Sequence, residues 1–375
     1  MRFLHIADLH LGKRWNDVDL LEDQLSILKD LQSMALEQKV DAVLIAGDVY
    51  QKASPSAEAM AAFDRFVSFL AGKGIRVFAI SGNHDSEQRI SYFSELVRRA
   101  GVYVSESFDG TLQQIELQDE YGPLVISLLP FVRPFTVRRC FPEDKIETTQ
   151  DAVKAVLDRS PVDESKRNVL LCHQFVTGAE LSDSEERTVG GLDGVEAGLF
   201  DAFDYVALGH IHKPQQLGRD TLRYAGSPMK YSFSEAAFEK SAVLVDMKEK
   251  GNCAVTLLPL KAPHDVREVK GPMSEIMSLP YSEDYVRVTV TDELVRPDAR
   301  VTVSTVFPNM MKFAVENSKT KQDGNILAGD RVEERSVPEL FADFFRLQNN
   351  GVAPSEDLLK LLTDVLKEVE ESYEA

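Results

Sequence analysis

Ala42-Val43-Leu44-Ile45-Ala46-Gly47-Asp48 is a run of five apolar residues that stops at a glycine and a carboxylate. Five apolar residues bounded in this way read as a buried strand. The same pattern stands ahead of it, where Arg2 to Ala7 is a short apolar run that ends at Asp8. Between the two, Leu21, Leu25, Leu28, Leu31 and Ala35 recur at helical spacing, which predicts a helix over Leu20 to Val40. Beyond Asp48 the alternation continues with a helix over Ser56 to Ala71, a strand over Arg76 to Ser81 and a helix over Ile90 to Ala100. Strand and helix alternating at this length imply mostly parallel strands covered by helices.

After Gly101 the pattern changes. Candidate strands Leu124 to Leu129, Val169 to Cys172, Tyr205 to Leu208 and Ala242 to Asp246 follow with fewer helices between them, which suggests a second sheet packed on the first. Lys261-Ala262-Pro263 and Gly271-Pro272 punctuate the chain near a domain boundary. Asp284 to Thr291 and Met310 to Val315 then read as strands of a small α+β module. Residues 317–336 are almost free of apolar side chains and read as a linker or loop. Two short helices follow, separated by Gln348-Asn349-Asn350-Gly351.

Composition narrows the class of protein. A chain of 375 residues suggests two or three domains. Its 43% hydrophobic and 27% charged content excludes a disordered or collagenous chain. No apolar run reaches the roughly 18 residues of a membrane span, and the N-terminus meets Asp8 too early for a signal peptide. Cys140, Cys172 and Cys253 show no paired spacing, so neither a disulfide framework nor a thiolate zinc site is expected. A cytoplasmic protein is the expectation. The net charge of −19 argues against a sequence-independent nucleic-acid binder with a basic face. Carboxylates that hold divalent cations are matched by those cations, however, so nucleic acid stays among the partners considered.

Five segments, each directly after a predicted strand, carry chemistry: Asp8-Leu9-His10, Gly47-Asp48, Gly82-Asn83-His84-Asp85, His173 and Gly209-His210-Ile211-His212. Ligand sites gather beyond the carboxyl ends of parallel strands, so these five can converge. Imidazole with carboxylate or amide oxygen suits a pair of Mn²⁺, Fe²⁺ or Zn²⁺ ions. Alternate residues of an extended segment share a face, which would aim Asp8 with His10, and His210 with His212. Asp48 is the natural bridge between two cations, and the glycines at 47, 82 and 209 allow tight turns beside a crowded site. Each piece alone is ordinary turn chemistry. The ordered set is not. His5 and His264 fit no ligand pattern.

In this order the segments resemble the calcineurin-like metallophosphoesterase superfamily. Within it, Leu171-Cys172-His173-Gln174-Phe175-Val176-Thr177-Gly178, Ser182-Asp183-Ser184-Glu185, the stretch from Asp204 to Gln215 and above all the stretch from Tyr224 to Glu235 resemble the SbcD family. Members of that family are the nuclease subunits of bacterial SbcCD complexes. The resemblance is strong over about residues 1 to 260 and architectural beyond. It implies an α/β fold of two stacked mixed sheets flanked by helices (residues 1–265), a small α+β capping domain (272–316) that helps seat DNA, a linker (317–336) and a partner-binding helix pair (337–375). It implies that Asp8, His10 and His212 hold one divalent ion and Asn83, His173 and His210 the other, with Asp48 between them and Mn²⁺ the expected metal. His84 would lie beside the scissile phosphate without binding metal, and Asp85 would orient it. Some relatives place another histidine shortly after Gly-Asp; Val49-Tyr50-Gln51-Lys52-Ala53 has none.

Arg287, Arg296, Arg300 and Lys312 are the basic residues available for DNA in the capping module, although scattered basic residues also occur as plain solvated surface. At the C-terminal end, Leu340, Phe341, Phe344 and Phe345 share one helical face. Ser355 reads as the N-cap of a second helix with acids in its first turn. Leu358, Leu362, Val365, Leu366 and Val369 form a stripe along it. Both helices can pack on their own chain; the family resemblance implies docking on an SbcC-type ATPase, in a heterotetramer built on a homodimer of this chain. Two other readings stay open: a general phosphoesterase acting on small nucleotides, and a non-catalytic scaffold that has kept the fold.

Overall fold

The structure is a computed structural model, and it describes residues 1–16, 18–183, 185, 194–318, 336–348 and 352–372. Two compact units divide the chain after Val266. In chain order the first holds β1 (Arg2–Ile6), a short hairpin of β2 (Arg14–Trp15) and β3 (Val18–Asp19), α1 (Leu21–Glu37), β4 (Ala42–Ala46), α2 (Ala57–Gly72), β5 (Arg76–Ile80), α3 (Glu87–Ile90), α4 (Ser94–Arg98) and β6 (Val102–Val104). It continues with β7 (Gln113–Asp119), β8 (Gly122–Leu129), α5 (Pro134–Cys140), α6 (Thr149–Arg159), β9 (Arg167–His173), β10 (Tyr205–Gly209), β11 (Gln215–Leu217), β12 (Arg219–Tyr224), β13 (Lys240–Met247) and β14 (Cys253–Leu260).

These strands form two six-stranded mixed sheets, ordered β14-β13-β1-β4-β5-β6 and β11-β12-β10-β9-β8-β7. The opening run shows why they stack. All five residues of β4 are buried, and successive side chains point to opposite faces. Val43 and Ile45 join Ile27 and Leu31 of α1 and Phe66 and Leu70 of α2. Ala42, Leu44 and Ala46 join Phe3, Phe78, Leu128 and Leu171 in the core between the sheets. A strand buried on both faces must be apolar throughout, which is the composition of β4. Strand β9 does the same for the second sheet: Val169 and Leu171 face inward, while Leu170 and Cys172 pack with Val153 and Val156 of α6. Truncating Phe78 at the centre to Ala would cost about 3–5 kcal/mol.

Parallel pairing brings the site-bearing ends together. β1 runs parallel to β4, β4 to β5, and β9 to β10, with Gly209 opposite His173. Three local expectations are corrected. β1 stops at Ile6, one residue early. The helix expected over Ile90 to Ala100 is instead α3 and α4, because Phe93 takes a left-handed φ of 64° and the flanking serines close a turn, Ser94 N donating to Ser91 O at 2.9 Å. Between β8 and β9, where the sequence reading assigns no helix, α5 and α6 cover the second sheet.

The second unit begins with β15 (Val266–Gly271), followed by α7 (Met273–Ile276), β16 (Tyr285–Val290), α8 (Ala299–Ser304) and β17 (Met310–Val315). Its three-stranded sheet is ordered β15-β16-β17, so residues 266–271, left between two domains by the sequence reading, supply its first strand. Val286, Val288 and Val290 alternate into a core closed by Ile276, Val303 and Phe307. Arg287 pairs with Glu268, and Arg296 with Asp298 at 2.9 Å. Most of the expected linker, 319–335, lies outside the described residues. Then come α9 (Val337–Gln348) and α10 (Glu356–Ser372), which pack against each other. Ser355 caps α10, its Oγ accepting from Leu358 N at 3.3 Å. Phe344 and Val365 are exposed at 63% and 45%, a state that leaves apolar area uncovered. Leu340, Phe341, Phe345, Leu358, Leu362 and Leu366 are half-buried. Among the described residues no helix is long and apolar enough to cross a membrane.

Candidate metal centre

The loops after β1, β4, β5, β9 and β10 meet at one end of the first unit, and their backbones are unusual. Asp8, His10, Asp48 and His210 all take positive φ, at 53°, 44°, 49° and 102°. Non-glycine residues held there cost of order 1–3 kcal/mol each, and such strain persists only where the surroundings enforce it. Here they do. Asp8 N donates to Gly47 O at 3.1 Å, and His10 N to Asp48 O at 2.9 Å. The carbonyls of Leu9 and His10 are gripped from outside by Gln24 Nε2 (3.2 and 2.8 Å), and that of Leu9 also by Tyr231 Oη at 2.5 Å. Asp8 and His10 therefore reach the site from a left-handed turn, which corrects the extended geometry expected for Asp-x-His. Close approach of the loops explains two glycines. A Cβ on Gly82 would stand 2.1 Å from Asp48 Oδ1, and one on Gly209 would stand 1.8 Å from the Ala46 carbonyl oxygen.

Every metal-ligating residue expected from the sequence is brought into this cluster. In one half, His10 Nε2 and His212 Nε2 face each other at 3.0 Å, and with a carboxylate oxygen of Asp8 they form a compact triad. In the other, Asn83 Oδ1 lies 3.1 Å from His173 Nε2 and 3.0 Å from His210 Nδ1. Asp48 lies between, its Oδ2 3.6 Å from His10 Nε2 and 3.4 Å from His173 Nε2. His84 Nε2 is 4.0 Å from the same oxygen, and the His84 side chain keeps 17% exposure while that of Asp48 keeps 3%, so it is the opening toward solvent. The His84 ring is oriented by the Gln51 carbonyl, 3.2 Å from Nδ1. Asp85 does something other than orient that ring. Its carboxylate accepts from the amides of Val49, Tyr50 and Gly82 at 2.9–3.0 Å and so ties the Gly47-Asp48 loop to the Gly82 loop. The stretch lacking a further histidine, Val49-Tyr50-Gln51, thus contributes through its backbone.

Burial and close packing shift the titratable groups of this pocket strongly. Burial pushes the Asp8 carboxyl up to about 7, and burial together with the Asp48 charge pushes Asp85 to about 7. Against burial, the His173, His10 and His84 rings hold Asp48 well below the usual carboxylate range. Burial and the charge of His173 push His210 down to about 3, while His173 itself, against burial, is raised to about 9 by Asp48. One oxygen of Asp8, Oδ2, is buried with no hydrogen-bond partner. An orphaned carboxylate oxygen costs stability, and a donor set of carboxylates, imidazoles and one amide oxygen suits divalent cations. The residues present fit a two-metal site.

Several supports escaped the sequence reading. His212 N donates to Glu185 Oε1 at 2.7 Å, and Glu235 Oε1 lies 3.4 Å from His212 Nδ1. Glu235 is fully buried and pairs with Lys240 at 2.5 Å. Both glutamates sit inside stretches that carried the resemblance, Ser182 to Glu185 and Tyr224 to Glu235, which is the signal that pointed at them. Nothing local marks Gln24, which grips the first loop from α1. Phe131 lines the second half, its ring centroid 6.3 Å from that of His210. The two histidines set aside stay apart from the cluster: His5 is a core side chain bonded to Tyr205 Oη at 2.9 Å, and His264 pairs with Asp23 at 2.8 Å.

Comparison with known proteins gives the family of the chain. Residues 1–214 match the family described as calcineurin-like phosphoesterase. The chain belongs to that family of metal-dependent phosphoester hydrolases, and its Asp/His cluster is a candidate dimetal site. Residues 262–349 match a second family, SbcD_C, described as type 5 capsule protein repressor C-terminal domain. Among solved structures, a dimetal phosphatase from Danio rerio is similar at 11% identity, covering 68% of this chain and 95% of that one, with a TM-score of 0.41. A protein of Thermus thermophilus is similar at 14% identity, covering 68% and 98%, with a TM-score of 0.39. Yfce, a phosphoesterase from E. coli, is similar at 13% identity, covering 66% and 88%, with a TM-score of 0.27.

Proposed function

We propose that this chain is a two-metal DNA phosphodiesterase, the nuclease subunit of an SbcCD-type complex that processes double-strand ends and hairpins and cuts single strands. The observation that carries the reading is the joint one: a cluster of Asp, His and Asn side chains in a phosphoesterase domain, followed by a segment that matches SbcD_C. On this reading Asp8, His10 and His212 would hold one ion and Asn83, His173 and His210 the other, with Asp48 shared between them. When bound, two divalent cations, Mn²⁺ the expected pair, supply a nucleophile at neutral pH and offset the charge that builds on a phosphodiester under in-line attack.

The protein's own groups do the rest. His84, on the open side of Asp48 and fixed through the Gln51 carbonyl, stabilises that charge or delivers a proton to the leaving oxygen. Asp85 keeps the two loops that carry Asp48 and His84 in register. The module at 272–316 caps the DNA. The uncovered apolar face around Phe344 and Val365 docks the ATPase, and the assembly is a heterotetramer built on a homodimer of this chain, working in the cytoplasm.

The test is incubation with Mn²⁺ and labelled duplex and single-stranded DNA, with and without an SbcC-type ATPase. Cleavage of single strands by the chain alone, and ATP-stimulated cutting of duplex ends with the partner, are expected. Turnover of small nucleotide esters without DNA cleavage would overturn this assignment in favour of a general phosphoesterase. Absence of all turnover with both ions bound would favour a scaffold.

A further inference from the structure

The two halves of the metal centre are held from behind in different ways, and one of them by a buried ion pair. Glu235 has no exposed surface and Lys240 only 5%. Glu235 Oε2 accepts from Lys240 Nζ at 2.5 Å, while Oε1 takes the Nδ1 edge of His212 at 3.4 Å and the Tyr231 amide at 3.3 Å. Lys240 Nζ also donates to the His212 carbonyl and to Ser227 Oγ, both at 2.8 Å. Lysine and glutamate thus clamp one histidine from its ring and from its backbone.

Burying such a pair is not a route to stability. Well-packed apolar residues in place of two buried charges are often as stable or more so. What the pair does supply is direction. A carboxylate only accepts, so the His212 nitrogen facing it carries the proton, and the lone pair is left on Nε2, toward His10 and Asp8. A carboxylate behind a ligating histidine also raises its strength as a donor. Among the described residues the second half has no counterpart: His173 Nδ1 rests on the neutral Ala46 carbonyl at 2.7 Å, and His210 lies against the Phe131 ring.

We propose that Glu235, charge-balanced by Lys240, is a positioning residue that makes the Asp8–His10–His212 half the tighter of the two cation sites. The inference rests on the two-ion reading above. It has a consequence that can be measured without any turnover. Loss of the Glu235 charge should weaken one ion and spare the other.

The experiment compares wild-type protein, Glu235→Gln and the double variant Glu235→Gln/Lys240→Met. Melting of the metal-free chain, calorimetric titration with Mn²⁺ alone, and electron paramagnetic resonance at two equivalents of Mn²⁺ are the readouts. Wild type should bind two ions, one more tightly, and show an exchange-coupled pair. Glu235→Gln should melt lower, because Lys240 is left unpaired, and should weaken the tighter ion by about 10–100-fold. The double variant removes the stranded cation, so its melting temperature should recover. Its Mn²⁺ affinity should not, and its spectrum should be that of an isolated ion. Recovery of affinity together with melting temperature would show the pair to be merely structural and overturn the proposal. Unchanged affinities in Glu235→Gln would overturn it with the two-ion reading intact. Wild-type protein that takes up no Mn²⁺ would overturn that reading and the inference together.

Discussion

The two halves of the candidate centre gather similar side chains on different scaffolding. Around His212 the support is ionic and comes from side chains 23–28 residues away in sequence, Glu185, Glu235 and Lys240. Around His173 it is the backbone itself, the Ala46 carbonyl at the end of β4 and the close approach of Gly209. On the proposal above, the ionic half is tunable by charge. The backbone half depends on where the ends of β4 and β10 lie. A shared carboxylate, Asp48, couples the two.

That shared residue gives the largest expected effect. Asp48→Ala removes the carboxylate that reaches both halves, so both ions should be lost and hydrolysis abolished. Asp48 Oδ1 also accepts from His84 N at 3.0 Å, so the Gly82 loop should loosen while the chain stays folded. Metal analysis and circular dichroism of the variant check this; a folded variant that keeps close to two ions per chain would remove Asp48 as the bridge.

Next in size is a change that attacks the backbone half alone. Gly209→Ala would drive a Cβ into the Ala46 carbonyl oxygen and to within 2.8 Å of His173 Nδ1. Overpacking of this kind typically costs about 1–3 kcal/mol and occasionally more, and here it displaces the strand that aims His173. The melting temperature should fall, and the weaker ion should be lost before the tighter one. Simultaneous loss of both ions would show that the halves are not separately supported.

His84→Ala should touch neither half. With Asp48 and both triads intact, the ions and DNA affinity should remain while turnover falls roughly 10²-fold or more, the scale of a lost acid–base group. The structure sharpens this test, because His84, His10 and Asp48 offer ligand atoms within 4.8 Å of one another. If metal content falls in parallel with turnover, His84 is a ligand and the division of roles changes.

The same contrast governs what could be read from the sequence. Each of the clustered side chains follows a buried apolar run, and strand ends in parallel sheets gather in one place, so the meeting of Asp8, His10, Asp48, Asn83, His173, His210 and His212 was legible in the sequence. The supports behind them were not. Ala46 holds His173 from the other sheet, 127 residues away in sequence, and Glu235 after Ser232-Phe233-Ser234 looks like a solvated turn. Its burial depends on Lys240 and His212 arriving from other elements. Asp85 shows the opposite error: a carboxylate next to His84 invites pairing with it, yet three backbone amides compete for the same oxygens and win. Left-handed φ at Asp8 and His10 could not be foreseen either, since period-two reasoning presumes an extended chain.

The smallest effect on the centre should come from the second unit, which serves as the reference for all the others. Phe344 is 63% exposed on α9, and Leu362 is half-buried on α10. On the docking proposal, Phe344→Glu or Leu362→Glu places an unpaired charge in an apolar interface, which costs a few kcal/mol. Neither residue belongs to the ligand clusters, so Mn²⁺ binding and cleavage of single-stranded DNA by the chain alone should match wild type. Phe344→Glu is the cleaner of the two, because an exposed position admits charge without disturbing the packing of α9 on α10. Co-purification with an SbcC-type ATPase and ATP-stimulated cutting of duplex ends should both be lost. If Phe344→Glu leaves complex formation unchanged, these helices pack only on their own chain, and the partner must be held by another surface.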